Sequence, residues 1–276
     1  AASDVYKRQV PNNFGVQDPA QLIDLAKAAE DLGFDSVWVN HHVLNVGYVR
    51  ERLEDAPYHD ALITLSWIGA ATERVRLGSS VLVMPYLHPM VLAKELATLD
   101  ALTNGRLVVG LGVGSLPEEN EILGVPYKSR GRYSNEFIEV LRLLWTEPRA
   151  SFHGEFFQFD DLITSPKPLQ QPHPPILIGG NRPPALRRAG RLADGWHGLS
   201  LRPDSVRKRL PVIQQEAAQA GRAPMTEFQM RLDMRQMTPE IVADYADAGI
   251  TELVLSISSG DYQENLEAMQ KAMGSE

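Results

Sequence analysis

The sequence predicts a (β/α)8 TIM barrel with an insertion after the fourth strand. Three observations lead there. Helical repeats that stop at a glycine are followed, over and over, by a short apolar strand. No long low-complexity linker interrupts the cadence, and the strands read as near-continuous apolar runs, as in a parallel sheet covered on both faces. Eight such strands suit a closed barrel better than an open doubly wound sheet, and 276 residues suit one barrel domain.

The start is set apart from this count. Ser3 to Gln9 resembles the translation of a transposon-end sequencing adapter, with Asp4 to Gln9 encoded by its terminal bases. Residues 1–9 are therefore read as adapter-derived and left out of fold reasoning, although Val5 and Tyr6 would tolerate a strand. The natural protein is expected to resume near Val10, with most of its first strand replaced, and residues 10–276 are read as a single barrel domain.

Asp18 is expected to cap the first helix, with Pro19 in its first turn and Gln21 completing a capping box. Leu22, Leu25, Ala29 and Leu32 recur at helical spacing, and Gly33 supplies a left-handed stop before the strand Ser36–Asn40. A helix over Asp60–Thr72 leads into the strand Val75–Met84, and one over Pro89–Leu102, closed by Asn104-Gly105, leads into Leu107–Leu111. The strand Ile176–Ile178 is followed by a helix over Pro184–Ala193 and the strand Gly195–Leu199. A helix over Pro203–Ala220 then precedes Phe228–Leu232. The last unit is a helix over Pro239–Ala248, capped by Thr238 and stopped by Gly249, before Thr251–Ile257. Ser115–Pro175 is longer than a crossover needs, holds a helix near Arg132–Trp145 and a hairpin over Ser151–Phe159, and is read as an insertion over the C-terminal face.

Composition narrows the function. With 27 Lys+Arg against 35 Asp+Glu the net charge is −8, which argues against a broad nucleic-acid surface. The chain has no Cys, so there is no disulfide framework, thiolate nucleophile or Cys-ligated zinc. Nothing approaches the ~18 consecutive apolar residues of a membrane span, and a soluble, cytoplasmic protein is expected.

Barrel enzymes place their chemistry just after the strands. Asn40-His41-His42 follows the second, Ser79-Ser80-Val81 interrupts the third, Gly110–Ser115 follows the fourth, and Gly179-Gly180-Asn181 follows the fifth. The paired glycines before a helix let backbone N–H groups approach an anion such as phosphate. A plain turn with Asn181 as cap explains them equally well on spacing alone. Gly110–Gly114 lacks the downstream half of a dinucleotide fingerprint, because Leu116-Pro117-Glu118-Glu119 follows it. The glycines there would instead leave room for a flat ring. His41 and His42 point to opposite faces, so one metal ion rarely takes both, and no metal site is expected. A single His41 suits hydrogen bonding to a ring or carbonyl, while His42, His59 and His153 are read as supporting or solvated. The four tryptophans are read as core or helix-packing residues. Arg187, Arg188 and Arg191 are placed on a solvated helix face, and Lys128, Arg130 and Arg132 either at a solvated helix start or as a clamp for an anionic cofactor tail.

Gly33–Val39, Arg76–Pro85, Gly105-Arg106-Leu107 and Gly110–Gly114 together resemble the bacterial luciferase-like monooxygenase superfamily. Gly154–Phe157, Pro166-Lys167-Pro168, Pro174-Pro175-Ile176, Gly179-Gly180-Asn181 and Ala193–Trp196 continue the likeness. In this order and spacing, from about Val10 to Arg202, they are most similar to the branch that uses the deazaflavin coenzyme F-420. The resemblance implies hydride transfer between coenzyme F-420 and a small organic substrate at the C-terminal face. It implies a non-proline cis peptide at Ser80–Val81 behind the ring, and Asn40 and His41 beside the ring or substrate. Gly112, Val113 and Gly114 would border the cofactor, with Gly179, Gly180 and Asn181 at its phosphate. Two departures stand out: Asn40 replaces a common Asp, and Ser115 stands where some relatives carry a Glu proton donor. An FMN-dependent monooxygenase fed by a flavin reductase is the alternative. A metal-dependent barrel hydrolase using His41 and His59, or a non-catalytic cofactor-binding protein, ranks lower. Relatives are commonly dimers, so a homodimer is expected, with no nucleic-acid or membrane partner.

Overall fold

The computed structural model describes residues 6–274. In chain order, β1 (Tyr6–Gln9), α1 (Ala20–Asp31) and β2 (Ser36–Val39) come first. α2 (Gly47–Leu53) and α3 (Ala61–Ala71) lead to β3 (Arg76–Ser79) and β4 (Leu82–Val83), and α4 (Pro89–Leu102) leads to β5 (Leu107–Gly112). α5 (Pro117–Ile122), α6 (Arg130–Thr146) and a hairpin of β6 (Ala150–His153) and β7 (Gln158–Leu162) precede β8 (Ile176–Gly179). The chain ends through α7 (Pro183–Leu192), β9 (Gly195–Leu199), α8 (Pro203–Gln219), β10 (Glu227–Asp233), α9 (Pro239–Asp247), β11 (Glu252–Ser256) and α10 (Tyr262–Ala272).

Parallel pairing runs β3–β2–β1–β11–β10–β9–β8–β5, and β5 pairs back with both β3 and β4, closing the ring. β3 and β4 are two halves of one strand, so the described residues form an eight-stranded (β/α)8 barrel. The expected continuous third strand is broken where the Ser80–Val81 peptide is cis. Tyr6–Gln9, set aside on sequence grounds, make β1, which pairs with β2 and β11. Residues 1–5 lie outside the described part.

The barrel interior is filled beneath its mouth. Trp38 stacks on His197 with ring centroids 5.6 Å apart. Val108, Leu177 and Val254 are buried around the indole. Gly78 has to be glycine, because a Cβ there would lie 2.3 Å from the Trp38 ring. Helices surround this core with apolar faces such as Leu22, Leu25, Ala26 and Ala29 of α1. Among the described residues no helix is long and apolar enough to cross a membrane.

Several local expectations shift. α1 begins at Ala20 rather than Pro19, and Asp18 Oδ1 accepts from Ala20 N without a capping box. α2, α5 and α10 were not anticipated. α2 opens on Gly47 with no side-chain cap, whereas α10 is capped by Asp261, whose Oδ1 accepts from Glu264 N at 2.8 Å. Arg188 is buried rather than solvated, bonding Asn135 Oδ1 and Gly131 O, and Trp67 is 48% exposed rather than packed. Within 115–175, the hairpin lies along α6. Glu136 accepts from the amides of Glu155 and Phe156 at its tip, while Thr164 and Lys167 beyond its base reach Leu144 O.

Candidate active site

The end of β2 is pinned from below by Asn12. Its Nδ2 donates to Asn40 O and His59 O, both at 2.8 Å, and its Oδ1 accepts from Asn40 N at 2.9 Å. Asn40 and His41 are thereby held at the C-terminal end of the barrel, both buried. His41 Nδ1 accepts the backbone N–H of Val83 at 3.0 Å. A neutral imidazole carries one proton, so here it sits on Nε2. Burial pushes the His41 pKa down to about 4, which keeps the ring neutral at pH 7. Among the described residues Nε2 has no hydrogen-bond partner, so His41 keeps one donor uncommitted at the C-terminal end of the barrel. It cannot also act as a base without breaking the Val83 bond.

His42, beyond the end of β2, turns towards Glu119 of α5 and Tyr48 of α2. Its Nδ1 lies 2.6 Å from Glu119 Oε2 and its Nε2 2.9 Å from Tyr48 Oη. Glu119 is fully buried and also accepts from the amides of Val43 and Leu44. Burial works against its charge, yet the bonds from His42 and the two amides hold its carboxyl below the usual range. His59 Nε2 donates to Val16 O at 2.7 Å, a structural bond. Among the described residues no three His, Cys, Asp or Glu side chains are grouped to hold a metal ion.

The strand-end glycines have a different occupant from the one expected. The Val81 side chain enters the notch they leave. A Cβ on Gly112 would lie 2.6 Å from Val81 Cγ2, and one on Gly179 2.8 Å from Val81 Cγ1. A Cβ on Gly110 would strike Ser79 O at 1.8 Å. These glycines therefore make room for the kinked third strand, and Val81, half-buried, offers an apolar wall to the mouth. Gly114 takes a left-handed φ of 77° as the chain turns out of β5, with half-buried Val113 before it. Beneath Val81 runs a polar column. Ser80 Oγ and His197 Nε2 are 2.8 Å apart, and His197 Nδ1 and Gln229 Oε1 3.1 Å. Gln229 Nε2 donates to Glu252 at 2.5 Å, which orients the amide so that Nδ1 of His197 must donate and Nε2 accept. Burial pushes the His197 pKa down to about 4.

At the end of β8, Gly180 adopts φ 121°, where a side chain would be strained. Asn181 does not cap α7. Its side chain brackets Leu199, donating to the carbonyl at 2.7 Å and accepting from the amide at 3.1 Å. Arg182 occupies the N-cap position instead, and Pro183 and Pro184 remove two of the N–H groups that a helix start would offer an anion. A cleft of about 190 Å³ lies between the chain that follows β4 and the α5–α6 connection, lined by Pro85, Gly124, Val125, Pro126, Arg130 and Tyr133.

Sequence reasoning missed Arg231 and left Glu119, beside the fourth strand, without a role. Arg231 Nη1 donates to Asn40 Oδ1 at 3.2 Å. An arginine alternating inward at the end of a barrel strand was a readable signal, because a cation there has left water only for a purpose. Glu119 was visible as an acid beside the fourth strand, but its partners on the 42–44 loop are distant in sequence.

A family model described as luciferase-like monooxygenase matches residues 3–269. An uncharacterized protein of Mycobacterium tuberculosis is 32% identical over 84% of this chain and 83% of its own length. An F-420-dependent glucose-6-phosphate dehydrogenase of Kineococcus radiotolerans is 34% identical, covering 74% of this chain and 60% of that protein. An FMNH(2)-dependent dimethylsulfone monooxygenase of Pseudomonas putida is 33% identical, covering 72% and 54%. Among solved structures, an F-420-dependent secondary alcohol dehydrogenase superimposes with a TM-score of 0.82 at 18% identity, over 99% of this chain and 98% of that one.

Proposed function

The chain belongs to the luciferase-like monooxygenase family, and on that premise we propose that it is an oxidoreductase moving a hydride between coenzyme F-420 and a small organic substrate at the barrel mouth. The observation that carries this reading is the uncommitted Nε2–H of neutral, buried His41 at the barrel end where Val81 enters the notch between Gly112 and Gly179. A planar ring needs such a wall on one side and a directed donor at its edge or at the substrate oxygen. The residues present fit the group. The apolar Val81 face, the left-handed backbone at Gly114 and Gly180, and the cationic Arg130 in the cleft beside Pro85 match a ring, a polar linker and an anionic tail in turn. Bound there, the deazaflavin would supply two-electron hydride chemistry without oxygen reactivity.

The protein's part is to bind, orient and dry. His41 donates to the oxygen on which charge grows and, with Nδ1 occupied, polarises that oxygen rather than abstracting a proton. Asn12 and Val83 hold the imidazole so that little reorganisation is needed. Ser80, Gly112, Val113, Gly179 and Asn181 shape the wall and its backbone. With Pro183 and Pro184 silent and the Gly180 amide donating to His197 O at 3.3 Å, the amides of Asn181 and Arg182 are the ones left near a phosphate.

The second reading, an FMN-dependent monooxygenase, is favoured by the similarity to the dimethylsulfone monooxygenase. Anaerobic titration with reduced F-420 and reduced FMN, repeated with oxygen, separates the two. F-420 binding with oxygen-independent turnover is expected; product formation that requires oxygen and reduced FMN would replace the first reading with the second. A homodimer is also proposed. α3 is apolar nearly all round, yet Ile63 is 73% and Trp67 48% exposed, and a helix of that composition calls for cover on both faces.

A further inference from the structure

Arg231 stands in the wall of the mouth without a carboxylate of its own. It is the inward-facing residue near the C-terminal end of β10, part-buried, and reaches over β11 and β1 towards Asn40 at the end of β2. Its contacts are two, Nη1 to Asn40 Oδ1 at 3.2 Å and Nε to Ser256 Oγ at 3.4 Å, and both acceptors are neutral. Among the described residues no acid lies within ion-pair distance, and Nη2 has no partner. The nearest carboxylate, Asp233, is taken by Arg235, which donates to it from its amide, Nε and Nη2 at 2.9, 3.0 and 2.6 Å. The remaining groups around Arg231 are Tyr58 and Tyr48, phenols, with Arg52 and Arg8 adding positive charge. Tyr58 is pushed above its ordinary pKa by burial and stays neutral.

A second orphan lies beside the first. Asn40 Nδ2 is buried and has no hydrogen-bond partner, although Nη1 of Arg231 fixes the amide with its oxygen towards the guanidinium. A cation part-removed from water and an amide donor left without an acceptor both cost free energy unless something answers them. In a chain of net charge −8, a spot where arginines outnumber available acids is a selective feature rather than an overall bias.

We infer that Arg231 and Asn40 recognise a carboxylate on the substrate. The inference rests on the mouth being the reaction site. Two donors, Nη2 and Nδ2, suit the two oxygens of a monoanion. Position selects the substrate over the cofactor as the anion's owner. Gly112 and Gly179 of β5 and β8, with Val81 just before β4, wall the ring side, whereas Arg231 and Ser256 of β10 and β11, with Asn40 just past β2, lie across the barrel. A carboxylate fastened there lies next to His41, so the substrate's reacting carbon is held between the His41 donor and the Val81 wall.

Calorimetric titration of the purified protein with butanoate and with butanamide, in the absence and presence of reduced F-420, tests this. Butanoate is expected to bind about tenfold or more tightly than its neutral isostere. Arg231→Gln should abolish that preference, Arg231→Lys keep part of it and Asn40→Ala weaken it about threefold, all with cofactor affinity within about twofold of the parent. Arg149→Gln, an exposed arginine paired with Asp161 on the hairpin, should leave it unchanged. Equal binding of the two probes, no binding of either, or a preference that survives Arg231→Gln in a variant with unchanged circular dichroism overturns the assignment. Should neither reduced cofactor bind, the proposed function falls, while the butanoate titration of the cofactor-free protein still decides this one.

Discussion

Val83 donates its backbone N–H to Nδ1 of His41 across 3.0 Å, and this one bond decides what the histidine is able to do. Val83 belongs to β4, the half-strand that follows Val81, so one short stretch of chain both fills the notch between Gly112 and Gly179 and sets the tautomer of His41. His41→Ala is expected to lower turnover about 100-fold, the size typical of losing one oriented donor. His42→Ala, one residue away but turned towards Glu119, should cost under about tenfold. Equal effects in steady-state kinetics would remove His41 from its role.

Acid should loosen the fold through two histidines. Folded His41 and His197 both have pKa near 4, and the same rings take a proton near 6.5 when unfolded. Between those values the unfolded chain binds more protons, so their contribution is complete above pH 6.5 and shrinks as pH falls towards 4. Each ring accounts for up to roughly 3 kcal/mol. Thermal melts from pH 7.5 to 4.5 should show a falling midpoint, less steep in His197→Gln; a flat profile would mean that these rings are not buried neutral.

Gly112→Ala places a methyl 2.6 Å from Val81 Cγ2 and should destabilise the protein by about 1–3 kcal/mol. Val81→Ala empties the notch from the other side. The double variant should recover at least about 1 kcal/mol of the summed losses, because the two side chains compete for one space. Additive denaturant midpoints would contradict that contact.

Glu119→Gln keeps the shape but removes the charge that gathers His42, Val43 and Leu44. A loss of about 2 kcal/mol is expected, with faster hydrogen exchange at the Val43 and Leu44 amides. Unchanged exchange there would show that the 42–44 loop is held by something else.

Trp67→Glu tests the exposed face of α3. Sedimentation should report a particle about half the parent's mass, with the circular dichroism of the barrel retained. A parent that already sediments as a monomer would refute the homodimer.

The cadence of helix, glycine and apolar strand was enough to specify the barrel, since each unit is a local choice of period, cap and stop. Thr238 and Gly249 bound the helix before β11 as read, and Pro89–Leu102 matches α4 residue for residue. Strand ends followed from that cadence, which is how Asn40 and His41 came into view. Contacts between distant strands were beyond it. No local pattern says that Gly112 and Gly179 yield to Val81, that Asn181 clasps Leu199 instead of capping a helix, or that Glu119 answers His42. Nor does one say that Arg231, 191 residues from Asn40, meets it across the mouth. Periodicity records which face of an element is apolar. Which polar groups are then left facing one another, and which of them stay unanswered, is decided only when the ring of strands closes.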